Sequence, residues 1–179
     1  MSFNHLGGHF NRTHLDEGSL LFIIKEFNIK SFLDIGCGPM GMVVLAKKLG
    51  LDSLGIDGDP KLRFKENFLK HDFTNGPAPL QSKFDLAWSV EFLEHVDEQF
   101  IKNYMEAFKL CKFCFITHAL PNKAGYHHVN CKDEKYWINI FESYGFNFDN
   151  EATERIKNNS TMKREFVKKT GKFFINKFI

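Results

Sequence analysis

No apolar run in the 179-residue sequence approaches the roughly 20 residues that a membrane-spanning helix needs. The first residues also lack the basic stretch and apolar run of a signal peptide, so a reducing, cytoplasmic setting is the expectation. An excess of one charge is missing too. With 24 basic and 22 acidic residues the net charge is +2, too balanced to announce nucleic acid or an anionic membrane, although a local basic patch stays open. Cysteine is scarce, at four residues: Cys37, Cys111, Cys114 and Cys131. Four thiols could make two disulfides, but nothing points to secretion. Cys111 and Cys114 form a lone CxxC on a strand-like run, where residues three apart point to opposite faces; buried free thiols are expected rather than zinc. Repeats and low-complexity blocks are absent. What abounds is phenylalanine, 21 residues, whose rings need a core or a pocket. The length favours one domain with enough burial to need no staple.

Along the chain, residues 1–15 read as an irregular arm, 16–148 as a core and 149–179 as a C-terminal helix and last strand. Helical spacing covers Asp16–Phe27, Pro39–Leu49, Pro60–Asn67, Asp97–Leu110 and Asp133–Tyr144, and more weakly 151–169. Short apolar runs at 31–35, 52–57, 68–71, 84–90, 113–117 and 172–178 read as strands. Strands alternating with helices predict an α/β fold, a mostly parallel Rossmann-like sheet with helices on both faces. In such sheets ligands sit at the carboxyl ends of the strands.

There the chain places Gly36-Cys37-Gly38-Pro39-Met40-Gly41, a GxGxxG between a strand and a helix. Glycines permit a tight turn and close approach, and the helix start offers free N–H groups. Asp57 and Gly58 end the next strand, 21 residues after Gly36, where an acid can hold two ribose hydroxyls. Dinucleotide and S-adenosylmethionine sites share this layout. Asp34, just before the first glycine, suits a ligand ammonium and opposes a pyrophosphate. Asp72, after the third strand, can accept from an adenine amino group.

Phe32-Leu33-Asp34-Ile35-Gly36-Cys37-Gly38, Leu54-Gly55-Ile56-Asp57, His71-Asp72-Phe73, Phe84-Asp85-Leu86 and Leu93-Glu94-His95-Val96, in that order, resemble the successive motifs of class I S-adenosylmethionine-dependent methyltransferases. The resemblance spans residues 16–148. It implies Asp34 and the glycines near the methionine moiety, Asp57 on the ribose, Asp72 with Phe73 around the adenine, and Ser89, Val90 and Glu91 flanking the sulfonium, with His95 nearby. Met40, where many relatives have glycine, adds bulk beside the cofactor in this reading.

Glu91, Glu94 and His95 share a face if they lie on a helical turn, and could bind a divalent ion such as Mg²⁺ or Mn²⁺ with His128. That ExxEH pattern with a downstream histidine is similar to the metal site of small-RNA 3′-end 2′-O-methyltransferases and of quinone-biosynthesis O-methyltransferases. Structural support of the cofactor loop and general-base action by Glu91 are the other readings of the cluster. The loop 118–132 carries His118, His127 and His128; His128, then His118, are the candidate bases for a hydroxyl acceptor. The tail 151–179 has eight basic and three acidic residues, read as a solvated face or as a site for an anionic acceptor.

The reading is therefore a methyltransferase acting on a small-molecule or terminal hydroxyl. The rivals are an NAD(P)-dependent oxidoreductase using the same glycine loop, and a cofactor-binding inactive subunit or RNA-binding module.

Overall fold

The computed structural model describes residues 5–179; the first four residues of the expected arm lie outside the described residues. Seven strands make one sheet: β1 (Ser31–Ile35), β2 (Asp52–Asp57), β3 (Phe68–Lys70), β4 (Phe84–Ser89), β5 (Cys111–Ile116), β6 (Phe146–Phe148) and β7 (Lys172–Asn176). The helices are α1 (Glu17–Phe27), α2 (Gly41–Lys48), α3 (Ile101–Phe108), α4 (Glu134–Ser143), α5 (Asn150–Asn159) and α6 (Phe166–Thr170). The strand order is β3-β2-β1-β4-β5-β7-β6. β1 to β5 are parallel, and β7 runs antiparallel between β5 and β6. The order reverses between β1 and β4, which opens a crevice at their carboxyl ends.

Burial on both faces explains the strand sequences. β1 reads Ser-Phe-Leu-Asp-Ile with four of its five residues buried, as a central parallel strand must. β7 divides its rings between two cores: Phe173 joins the layer under α1, α2 and α5, while Phe174 joins the layer under α3 and α4. Trp88 stacks on Phe115 at 4.8 Å, and Phe141 on Phe174 at 4.4 Å. Burying each such ring contributes about 1.5–3 kcal/mol. The phenylalanine excess is thus mainly a core, as expected.

Asp16 ties the arm, α1 and the tail together. Its fully buried carboxylate accepts from Ser19 N–H (3.1 Å), Ser19 Oγ (2.8 Å), Ser160 Oγ (2.6 Å) and Thr161 N–H (2.9 Å). That demand splits the helix expected over 151–169: Ser160 to Glu165 leave the helical path to reach Asp16 and separate α5 from α6. The helix expected at Pro60–Asn67 does not form. Asp59 accepts from Lys61 N–H to make a turn, and Asn67, at φ +54°, gives its carbonyl to Gly55 N–H and starts the β3 ladder. β6 is too short, at three residues, to have shown in the pattern.

Cys111 and Cys114 are buried and unpaired but lie in one apolar layer, not on opposite faces. Cys111 opens β5 straight after α3, and its thiol points to the Ala107 carbonyl, so strand alternation does not yet hold. Among the described residues no helix is long and apolar enough to cross a membrane.

Candidate functional site

A cleft of about 690 Å³ lies over the carboxyl ends of β1, β2 and β4 and beneath the arm. It falls in the range of small-molecule sites, about 300–1,000 Å³. The glycine loop forms its floor. Gly36 and Gly38 have φ of +77° and +49°, and a Cβ on Gly36 would collide with the Phe92 ring. Gly38 N–H donates to Asp57 Oδ2 at 2.8 Å, and Asp59 N–H to Asp57 Oδ1 at 2.8 Å. Asp57 is thereby fixed at the tip of β2. Burial nevertheless raises its pKa, against the pull of those two N–H groups. Asp34, buried at the end of β1, is pushed well above the usual carboxylate range by burial and then by Asp57. Two neighbouring carboxylates of this kind await cationic or hydroxyl partners.

Asp72 is organised differently. Burial pushes its pKa up, but Thr74 N–H (2.9 Å), the Thr74 hydroxyl (2.8 Å) and His5 (2.9 Å) hold it below the ordinary value. Phe73, Gly58, Cys37, Val90, Glu91, Glu94 and His95 line the cleft with these acids. Burial drives the Cys37 thiol far up, so it is no nucleophile.

Other expected residues sit elsewhere. Ser89 is fully buried and donates to the Ile35 carbonyl at 2.8 Å, pinning β4 to β1 without lining the cleft. Gly41 faces the arm, its N–H donating to Thr13 Oγ1 at 3.1 Å. His118 lies behind the cleft wall, its ring near Trp137. Met40 does not add bulk beside the cofactor: its side chain turns under the loop toward Cys37 Sγ (3.6 Å) and is buried. Its φ of +67° accounts for a glycine being suitable there.

The arm is the part the sequence barely showed. His9 bonds Asp59 at 3.0 Å and His5 bonds Asp72, so two histidines clip the arm across the part of the cleft that follows β2 and β3. Gly8 lies against the His95 ring, and Phe10 meets Tyr126 of the histidine loop edge-on at 5.6 Å. Neither Asp59 nor these histidines had a spacing signal, since the pairs are separated by 50 and 67 residues.

At the other side of the cleft Glu94, His95 and His128 bring one ligand atom each within 4.8 Å of one another. Glu94 is fully buried and neither of its carboxylate oxygens has a hydrogen-bond partner among the described residues. Burial and then Glu91 raise its pKa well above the ordinary value. His95 Nδ1 is likewise buried and unpartnered, and burial, with His128 beside it, lowers His95 to about 4. His128 Nδ1 faces the Lys123 carbonyl at 2.9 Å, so it must carry the proton and leave Nε2 free. These donors fit a divalent cation, which would satisfy a carboxylate the fold leaves orphaned. Glu91 stands apart. Leu93–His95 is a short 3₁₀ turn, and Glu91 precedes it at φ +53°, so the expected helical face does not form there. Its carboxylate accepts from the Thr117 hydroxyl at 2.8 Å.

Residues 33–112 match the family model described as a methyltransferase domain. Among solved structures, the fold is similar to the methyltransferase domain of bacterial CtHen1-CN, with 14% identity and a TM-score of 0.55 over 89% of this chain and 95% of that one. It is also similar to a SAM-dependent methyltransferase from Archaeoglobus fulgidus, with 23% identity and a TM-score of 0.54 over 73% and 67% of the two chains. A third likeness is to the plantazolicin methyltransferase BpumL in complex with SAH, with 14% identity and a TM-score of 0.59 over 89% and 82%. No curated protein matches the sequence. The matched residues 33–112 hold the glycine loop and Asp57, so this part of the chain matches a methyltransferase domain, and the sheet around it has the fold of class I S-adenosylmethionine-dependent methyltransferases.

Proposed function

We propose that the protein methylates a hydroxyl group, with a divalent cation held by Glu94, His95 and His128. The observation that carries this reading is the fully buried, unpartnered Glu94 carboxylate beside two imidazoles on the wall of the cofactor cleft. A carboxylate with imidazoles favours Mn²⁺ over Mg²⁺.

S-Adenosylmethionine, when bound, supplies a methyl group on a sulfonium, an electrophile that transfers in line. Asp57 accepts from the ribose hydroxyls, Asp72 and Phe73 border the adenine, and Asp34 faces the ammonium. The arm, clipped by His9 and His5, excludes water and orients the reacting end, the contribution that proximity makes to such a displacement. A cation on Glu94, His95 and His128 would supply Lewis acidity to an acceptor hydroxyl. Glu91, whose pKa burial raises, lines the cleft and is the carboxylate outside the proposed ligand set that would take the hydroxyl proton. His118, walled off from the cleft, then acts only through the packing beneath the loop.

The test is calorimetric titration of S-adenosylhomocysteine, and of NADH in parallel, with and without Mn²⁺. Micromolar binding of the homocysteine adduct, together with Mn²⁺ binding that Glu94→Gln abolishes, is the expected result. Full turnover in EDTA-treated protein would remove the metal, and with it the argument for oxygen.

A further inference from the structure

Of the acids that line the cleft, Asp34, Asp57 and Asp72 come from β1, β2 and the turn after β3, and Glu91 and Glu94 from the loop after β4. Its basic lining comes in part from the segment leading into α6 and from the arm. These bring in Arg164 and Phe166 from the one, Arg12 and His14 from the other.

Both arginines are exposed to the cleft mouth, and neither forms an ion pair or side-chain hydrogen bond with any described residue. The acid beside Arg164, Glu165, is held by Lys169 at 2.9 Å. Both guanidiniums are close enough to His14 to help lower its pKa, after burial. The His14 ring meets Phe166 edge-on at 5.1 Å, giving the charged pair a flat, half-buried wall. Two unmatched guanidiniums beside an aromatic wall in a cleft suit bidentate recognition of an anion. The sulfonium and ammonium of the cofactor call for acids; its one carboxylate is the competing anion that the experiment below separates.

Resting on the methyltransferase reading, we propose that the acceptor is a small phosphomonoester, its phosphate gripped by Arg12 and Arg164 and its body laid on Phe166 and His14. Two guanidiniums match the double charge of a phosphate better than a carboxylate, and they repel an amine. The lysine-rich tail outside the cleft adds long-range attraction for the same anion.

The experiment uses the full chain saturated with S-adenosylhomocysteine, into which phenyl phosphate, benzoate and benzylamine are titrated by calorimetry. Phenyl phosphate is expected to bind, benzoate to bind at least about tenfold more weakly, and benzylamine not to bind. Arg164→Gln and Arg164→Lys should each weaken phenyl phosphate about tenfold or more while the affinity for S-adenosylhomocysteine stays within about twofold. A melting curve for each variant confirms folding; both are surface changes. Three results would overturn the subsite: no phenyl phosphate binding to the loaded wild type, equal binding by the variants, or a parallel loss of S-adenosylhomocysteine affinity, which would assign Arg164 to the cofactor carboxylate. Benzoate binding as tight as phenyl phosphate would overturn the choice of phosphate. Failure of the wild type to bind S-adenosylhomocysteine would instead remove the underlying reading, and the subsite with it.

Discussion

Replacing Asp57 with asparagine separates binding from folding. The wild-type carboxylate already accepts two N–H groups, from Gly38 and Asp59, each at 2.8 Å, and its remaining lone pairs face the cleft. Asparagine keeps the shape and loses the charge. Its amide nitrogen must meet one of those N–H groups, which costs about 1–3 kcal/mol for the orphaned donor. Burial works the other way: it raises the Asp57 pKa, so the ionised wild type is itself held at a cost that asparagine avoids. The two terms partly offset, and stability should change by less than about 2 kcal/mol. No such offset exists for the ligand. Hydrogen bonds from ribose hydroxyls to a carboxylate contribute about 1.5–3 kcal/mol. The dissociation constant for S-adenosylhomocysteine should therefore rise about 10- to 150-fold. Calorimetry at pH 7 measures it, and a denaturant melt measures the fold. An affinity within twofold of wild type, with the melt unchanged, would refute the assignment of Asp57 to the ribose.

Three further outcomes are expected. Glu94→Gln and His128→Ala should each lose Mn²⁺ binding by calorimetry and lower turnover about 10- to 100-fold, with little change in S-adenosylhomocysteine affinity in the absence of metal. His118 is held at about 4, chiefly by burial and then by Lys172 against the pull of its own loop, so the unfolded chain takes up its proton near pH 6.5 and the folded chain does not. Stability should thus fall as pH drops from 6.5 toward 4, by up to about 3 kcal/mol from this residue, and a His118→Gln variant should show a flatter melting-temperature profile over that window. Asp16→Ala orphans buried donors on α1 and part-buried donors on the 160–161 turn, and should cost about 2–4 kcal/mol in urea unfolding.

The local elements followed from the chain because neighbours in sequence set them. Apolar alternation and runs located β1, β2, β4 and β5; caps such as Asp16 and Asp133 located α1 and α4. That Asp34, Gly36, Gly38 and Asp57 meet in one cleft was equally legible, since they lie on consecutive elements of one β-α-β unit. Elements shaped by distant partners were not. The break between α5 and α6 answers to Asp16, some 145 residues away, and the failed helix at 60–67 answers to the β2–β3 ladder. Ser89 shows the same limit within the site: it follows the right strand, but which way it points depends on the Ile35 carbonyl across the sheet.

By itself, then, the sequence determined β1 to β5 with α1 to α4, the glycine loop and the acids at its two flanks, because each of those is encoded in residues close along the chain. Tertiary structure decided the rest. It chose Glu94, His95 and His128 as one cluster and left Glu91 on Thr117, laid the arm on Asp59 and Asp72, and brought Arg12 and Arg164 both near His14. Those pairings join segments that meet only when the sheet closes, so no spacing along the chain could announce them.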